Sequence, residues 1–314
     1  MTTTTSSKVR ESRGKSATRH GIAPYLFAAP ALFLYVAFII IPIVYTMWLS
    51  LHAYRIEGGG SILGNRVLTW VGLENFASVL TSSSYLTGLK HLAIYGIIAV
   101  PSMLGLALLF ALLLDTPGVR ARPFSRAAIF IPYAVPGIVA ALLWGFMYLP
   151  STSPISYVTE ALGLGPVPFL DDPGIYGALA NIAVWGGVGF NMIIIYTSLR
   201  SIPNDILESA RLDGATEIQL ALRIKIPLVI PALVLTGFFA LIGTLQLYNE
   251  PATLTTMTNV VGQTWAPLMT IYRDAFLTDN LPLAAAASLT LALATVAASA
   301  IVLQIANLRR RRQR

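Results

Sequence analysis

Residues 208–227 read ESARLDGATEIQLALRIKIP, from Glu208 to Pro227. The stretch carries Glu208, Arg211, Asp213, Glu217, Arg223 and Lys225. The whole chain, by contrast, is 55% hydrophobic and only 11% charged. Soluble domains run near a quarter charged, so this composition belongs to a membrane protein. The stretch is therefore a polar island between apolar runs, and those runs set the fold.

A helix needs about 20 apolar residues to cross a bilayer. Six runs meet that length, at roughly 25–51, 90–114, 126–149, 175–199, 227–249 and 284–306. They predict an all-α membrane protein of six transmembrane helices. Residues 1–24 then form an N-terminal tail, 25–306 the membrane domain with a polar loop at 200–226, and 307–314 a basic tail. The first run continues through Pro42 to Trp48 with no small-residue cleavage site, unlike a removed signal peptide. Lys and Arg gather before the first run, at Arg120, Arg122 and Arg126, across the polar island, and at Arg309–Arg312. That bias predicts cytoplasmic termini and a multi-pass protein of the plasma (inner) membrane. It also accounts for the net charge of +7 without nucleic acid. Cysteine is absent, which excludes disulfides and thiol chemistry. Gly14-Lys15-Ser16 ends like a phosphate-binding loop, but Val9 stands where such a loop needs its first Gly. His20, His52 and His91 lie scattered, without metal-ligand spacing.

The island itself reads as a helix, a turn and a second helix. Ser201-Ile202-Pro203-Asn204 breaks the preceding run, and Asn204 or Asp205 is placed to cap a helix over 205–212. Asp213-Gly214 follows, where Gly permits a bend or a close approach and the Asp side chain can fix the turn. A second helix is expected over about 215–225, with Pro227 opening the next span. Ile206, Leu207, Ala210, Ile218, Leu222 and Ile226 recur at helical spacing and give each helix an apolar side. Such a segment either rests on lipid headgroups or docks on another protein.

The motif favours docking. Glu208, Ser209, Ala210, Asp213, Gly214 and Ala215, then Ile224, Ile226 and Pro227, resemble the EAA loop of permease subunits of ATP-binding-cassette importers. AAPALFLYVAFIIIPIVYTMWLSL, WVGLENF, VWGGVGFNMIIIYTSLRSIP and LYNEPATLT extend the likeness to the carbohydrate-uptake branch, with its maltose and glycerol-3-phosphate permeases. The resemblance implies a type I importer permease fold with a cytoplasmic coupling helix between helices 4 and 5. It implies ATPase-coupling roles for Glu208, Ala210, Asp213, Gly214, Ala215, Ile218 and Leu222. It further implies a second homologous permease, two ATPase subunits that bind ATP and Mg, and an extracytoplasmic solute-binding protein. This chain itself would hold no cofactor and be no enzyme. Ser209 replaces an Ala of the motif, and Ala221 stands where these permeases often carry an aromatic, so Leu220 and Leu222 are left to fill that space. The cargo implied is a mono-, di- or oligosaccharide moved by alternating access. A phosphorylated polyol such as glycerol-3-phosphate and an ion-coupled secondary transporter stand as alternatives.

Polar groups inside spans mark a solute path or helix packing. Gln246, Tyr248, Asn249 and Glu250 form one cluster, with Gln246, Asn249 and Glu250 sharing a face if the helix runs on to Pro251. Asn191 and Trp185 are further candidates, and Trp144 and Tyr148 could offer aromatic faces to a sugar. Asp115 and Glu250 are expected near water. No Lys or Arg lies mid-span, which leans toward a neutral cargo. Gly186-Gly187-Val188-Gly189 reads as close helix packing.

Overall fold

The structure, a computed structural model, describes residues 23–57 and 65–312. All but the last two residues of the expected tail 1–24 lie outside the described residues, as do 313 and 314. Helix α1, Ala23–Tyr35, leads into a π-helical turn at Val36–Ile40 and then α2, Ile41–Ser50. The stretch up to Tyr45 forms a body of its own. Within this stretch the Ile41 N–H donates to Val36 O, five residues back, just before Pro42. Proline has no N–H, and its ring crowds the carbonyl four residues earlier. A widened turn ahead of it lets the helix continue.

From Thr46 onward the chain forms a second body. It starts with an antiparallel hairpin, β1 at His52–Glu57 and β2 at Asn65–Trp70, paired His52 with Trp70 through Glu57 with Asn65. The apolar runs carry no sign of this ribbon, the one β-sheet among the described residues. Helix α3, Glu74–Thr81, holds it. Buried Asn75 donates from Nδ2 to Ser50 O at 2.8 Å and to His52 O at 2.7 Å, and Arg55 pairs with Glu74 at 3.0 Å.

Then come the long elements. Helix α4 spans Ser83–Asp115, α5 Arg122–Phe130, α6 Gly137–Tyr148, α7 Pro154–Ala161 and α8 Gly174–Arg200. Helix α9 is Asn204–Leu212, α10 Glu217–Leu220 and α11 Ile226–Leu245. Helix α12 is Asn249–Leu254, α13 Pro267–Tyr272 and α14 Leu281–Arg312. Helix α14 carries the basic residues 309–312 on its own backbone.

Five stretches are long and apolar enough to cross a membrane: Phe27–Ser50, Ser83–Asp115, Gly174–Arg200, Glu217–Leu245 and Leu281–Gln304. The third expected span, 126–149, is broken instead. Arg122–Ala134 and Gly137–Tyr148 meet at 97° and make a sixth crossing only if counted together. The cause is Pro136, which holds Val135 in an extended conformation (φ −80°, ψ 125°) and ends the helical run.

The centre of this body is the pair α4 and α8. Ala107 and Ala111, one turn apart on α4, are fully buried against Val188, Met192 and Ile195 of α8. Small residues let two helices approach in lipid, where packing rather than water exclusion holds them together. Gly189 packs tightly against α5. A β-carbon there would overlap Ile129 O and lie 2.7 Å from Phe130 Cα. Gly186, on the same helix, has open space where its β-carbon would be. The glycine run thus packs only in part.

At the end of α4, Asp115 is buried, contrary to its expected place near water. Its Oδ2 accepts from Lys225 Nζ at 2.7 Å, with the two side chains 6% and 5% exposed. Its Oδ1 lies 3.8 Å from Arg200 Nη1, at the end of α8.

Two stability outcomes follow. Asp115→Ala strands the buried Lys225 ammonium and should cost about 3–5 kcal/mol, whereas Asp115→Leu with Lys225→Met should recover most of it. Thermal unfolding of the purified protein in detergent reads both, and equal losses in the single and double variants would refute the pairing argument. Gly189→Ala should destabilise by about 1–3 kcal/mol by overpacking, while Gly186→Ala is near neutral in the same assay.

Candidate functional site

The polar island builds a rigid corner. Helix α9 starts at Asn204 after Pro203, and no side chain caps it, so neither Asn204 nor Asp205 serves as the expected cap. Asp205 sits in the first turn, where a negative charge suits the helix dipole. At the other end the Gly214 N–H donates to Arg211 O and the Ala215 N–H to Ala210 O, both at 3.0 Å. Those two bonds form a Schellman motif, with Gly214 at φ +85° in the left-handed position. A β-carbon on Gly214 would meet nothing within 4 Å. Its role is therefore the bend, not a close approach. The Asp213 side chain makes no hydrogen bond among the described residues, so backbone geometry fixes the turn instead. Thr216 then caps α10 reciprocally with Gln219: the Gln219 N–H donates to Thr216 Oγ1 at 3.3 Å and the Thr216 N–H to Gln219 Oε1 at 2.9 Å. Arg211 Nε donates to Glu217 Oε1 at 2.9 Å across the corner, and this bond raises the Arg211 pKa.

The expected second helix does not end before Pro227. Residues 221–225 form a π turn, and the Ile226 N–H donates to Ala221 O, five residues back. This is the device seen ahead of Pro42. Glu217–Leu245 is thus one helix of 29 residues, about 43 Å long at 1.5 Å per residue. Leu220 is fully buried and cannot fill an outer groove. Leu212, Ile218 and Leu222 are 89%, 72% and 61% exposed and form an apolar rim on the corner. Glu208, Asp213 and Gly214 are exposed beside them, with Ala210 and Ala215 half-buried.

The far end of that helix meets a cavity of about 520 Å³ between α4, α6, α8 and α11. Helix α11 stops at Leu245, and Gln246 and Tyr248 adopt non-helical conformations before α12 restarts at Asn249. The helix therefore does not run on to Pro251. Pro251 sits instead in the first turn of α12, where a missing N–H costs nothing. The break turns Gln246, Tyr248, Asn249 and Glu250 onto the cavity wall, and Asn191 joins them from α8. Trp185 is not on that wall. It packs edge-on to Trp144, with ring centroids 6.0 Å apart. Tyr148 is buried, donating to Ala178 O at 3.1 Å and accepting from Asn181 at 2.8 Å.

Asn191 is 4% exposed. Its Nδ2 donates to Gly187 O at 2.8 Å and faces Met103 Sδ at 3.2 Å, while Oδ1 has no partner. The Glu250 carboxylate lies against Gly137, the first residue of α6, where a β-carbon would stand 2.9 Å from Oε1. A carboxylate there meets the positive end of the α6 dipole. Aromatic faces complete the wall. Tyr133 and Phe190 stack at 4.9 Å and 14°, with Phe239 6.4 Å from Phe190. Tyr133, Phe190 and Phe239 were not among the residues the sequence pointed to. The signal that could have found Tyr133 is the Pro132…Pro136-Gly137 pattern, which marks a broken helix of the kind that lines cavities.

Residues 103–314 match the family described as binding-protein-dependent transport system inner membrane component. The chain is 30% identical over 282 residues to the sn-glycerol-3-phosphate transport system permease protein UgpA of Agrobacterium fabrum, covering 89% of this chain and 92% of that one. It is 29% identical over 226 residues to the trehalose/maltose transport system permease protein MalF of Thermococcus litoralis, covering 72% and 74%. A chain of the crystal structure of a bacterial ABC transporter involved in the import of the acidic polysaccharide alginate has the same fold. Its TM-score is 0.76 at 18% identity, over 91% of this chain and 95% of that one. The family match and the relatives aligned along most of the chain show that it belongs to the binding-protein-dependent transport system inner membrane components, multi-pass permeases of ABC importers rather than enzymes.

Proposed function

We propose that the chain is the permease subunit of an ATP-driven importer of a carbohydrate, working by alternating access with both termini in the cytoplasm. The observation that carries the reading is the unbroken helix Glu217–Leu245. At one end stand the exposed Ile218 and Leu222, and at the other Phe239 and the break that lines the cavity. A permease cannot sense ATP by itself, so motion of a soluble ATPase has to arrive through a rigid element. In this reading α9 and its corner seat in an ATPase subunit through Leu212, Ile218 and Leu222, with Glu208, Ala210, Asp213, Gly214 and Ala215 setting the corner's shape. The 29-residue helix then carries the displacement to the cavity.

The working complex contains a second homologous permease, two ATPase subunits that bind ATP and Mg, and an extracytoplasmic solute-binding protein. A related bacterial alginate transporter has been crystallised in complex with a periplasmic protein bound to an alginate pentasaccharide. The cavity suits a sugar in kind. Amide and carboxylate groups at Asn191, Gln246, Asn249 and Glu250 match hydroxyls, and the Tyr133, Phe190 and Phe239 rings match C–H faces. Its volume of about 520 Å³ falls within the usual range for small-molecule sites.

Gly214→Val forces a β-branched residue to φ +85° and should strain the corner by about 1–3 kcal/mol. The expected outcome is a permease that inserts and assembles, but whose partner ATPase no longer responds to loaded binding protein. Gly214→Asn, which tolerates the left-handed conformation, should keep most of the response. Stimulated hydrolysis in the reconstituted complex reads both, and a full response in Gly214→Val would mean the corner is not the lever. Orientation has its own test, helped by a chain without cysteine. In intact cells an impermeant maleimide should label Asp172→Cys and leave Leu212→Cys untouched, and labelling of Leu212→Cys would reverse the topology.

A further inference from the structure

We infer that the cavity rejects anions: the cargo is a neutral or cationic polyhydroxylated solute, and sugar phosphates and uronates are selected against. This rests on the cavity being the solute path of the proposed importer. Among the described residues the wall contains one formally charged side chain, and it is a carboxylate, Glu250; no Lys, Arg or His of the described residues lines the cavity. A second groove, toward the C-terminal end of α8, does have cations, Arg126 and Arg200, so their absence from the cavity is local rather than general.

Three features act in the same direction. An anion needs donors, and the buried amide of Asn191 has already committed its own. Gly187 O can only accept, so the Asn191 nitrogen must face it, and that nitrogen also lies 3.2 Å from Met103 Sδ, which leaves it little to offer an anion. The broken helix also offers its α6 N-terminus, the kind of half-helix end that holds anionic groups in transporters. Here the chain's own Glu250 carboxylate lies against that end, beside Gly137, where a β-carbon would stand 2.9 Å from Oε1. Finally, the stacked Tyr133 and Phe190 rings present π faces, which attract C–H groups and cations and not negative charge. The contrast with the relatives is direct: UgpA is named for sn-glycerol-3-phosphate and the crystallised transporter imports an acidic polysaccharide.

The absence of native cysteine permits a measurement of the cavity's charge preference that does not require the cargo. Ala183→Cys places one thiol on the wall in the fully assembled importer. Matched cationic (ethyltrimethylammonium) and anionic (ethylsulfonate) methanethiosulfonates are applied, and modification is read by mass on this chain's own peptide. The cation-to-anion rate ratio should exceed that of a free small thiol by at least about tenfold, as expected for a carboxylate lining the same cavity at intermediate dielectric. Adding Glu250→Gln should bring the ratio most of the way back. A ratio at or below that of the free thiol, with the site reactive, overturns the charge inference and leaves the proposed importer standing. Failure of both reagents to react at any stage of the ATPase cycle removes the cavity as a solute path, and the inference falls with it. Ala240→Cys, on α11, serves if the first variant does not assemble.

Discussion

The buried pair of Asp115 and Lys225 joins three elements at one point. Asp115 ends α4, Lys225 lies in the π turn that leads into α11, and Arg200 approaches from the end of α8. Two charges this deep need each other, because each alone carries an uncompensated desolvation penalty of several kcal/mol. The pair therefore fixes where the long helix Glu217–Leu245 starts relative to the α4–α8 centre. In the proposed mechanism the corner's displacement passes this point, and the same three helices, together with α6, frame the cavity.

Proline shapes the rest through one recurring conflict. Inside lipid each backbone N–H and C=O needs a partner, and proline removes one donor. The chain resolves this in two ways. Ahead of Pro42 and Pro227 a π turn widens the helix and lets it continue, with the bond from Ile41 to Val36 and the bond from Ile226 to Ala221 as its marks. At Pro136 the helix breaks outright, by 97°. Continuity makes Glu217–Leu245 a stiff rod, and the break at Pro136, with the one after Leu245, opens the wall of the cavity. Under the proposed function, rigidity lies where motion would be carried and irregular backbone where a solute would be met.

The corner is shaped with little help from its charged side chains. The Schellman bonds, the left-handed Gly214 and the Thr216–Gln219 capping box hold it by backbone geometry. Leu212, Ile218 and Leu222 are free to stay exposed, which is unusual for residues of this size unless a partner covers them. Arg211 and Glu217 bridge the two arms at the surface, where such a pair contributes little to stability but favours one angle between them.

The sequence by itself determined the helical membrane class, four of the apolar spans to within seven residues at either end and a fifth whose start it placed ten residues late, the polar corner and the residues on it. These follow from local composition, because a bilayer demands a long apolar run and a left-handed turn demands glycine. Tertiary structure decided what lies across the chain. That Asp115 is buried, and not near water, depends on Lys225, 110 residues away. That Leu220 turns inward while Leu222 stays exposed depends on which neighbours the helix meets. Pro136 was visible, but whether it would bend a span, as Pro101 and Pro231 do not do to α4 and α11, depends on neighbours able to accommodate a 97° turn. Gln246, Asn249 and Glu250 reach one cavity because the helix fails between them, not because it persists. Spacing along a helix can propose a shared face, but only packing decides where the helix stops and what its side chains confront.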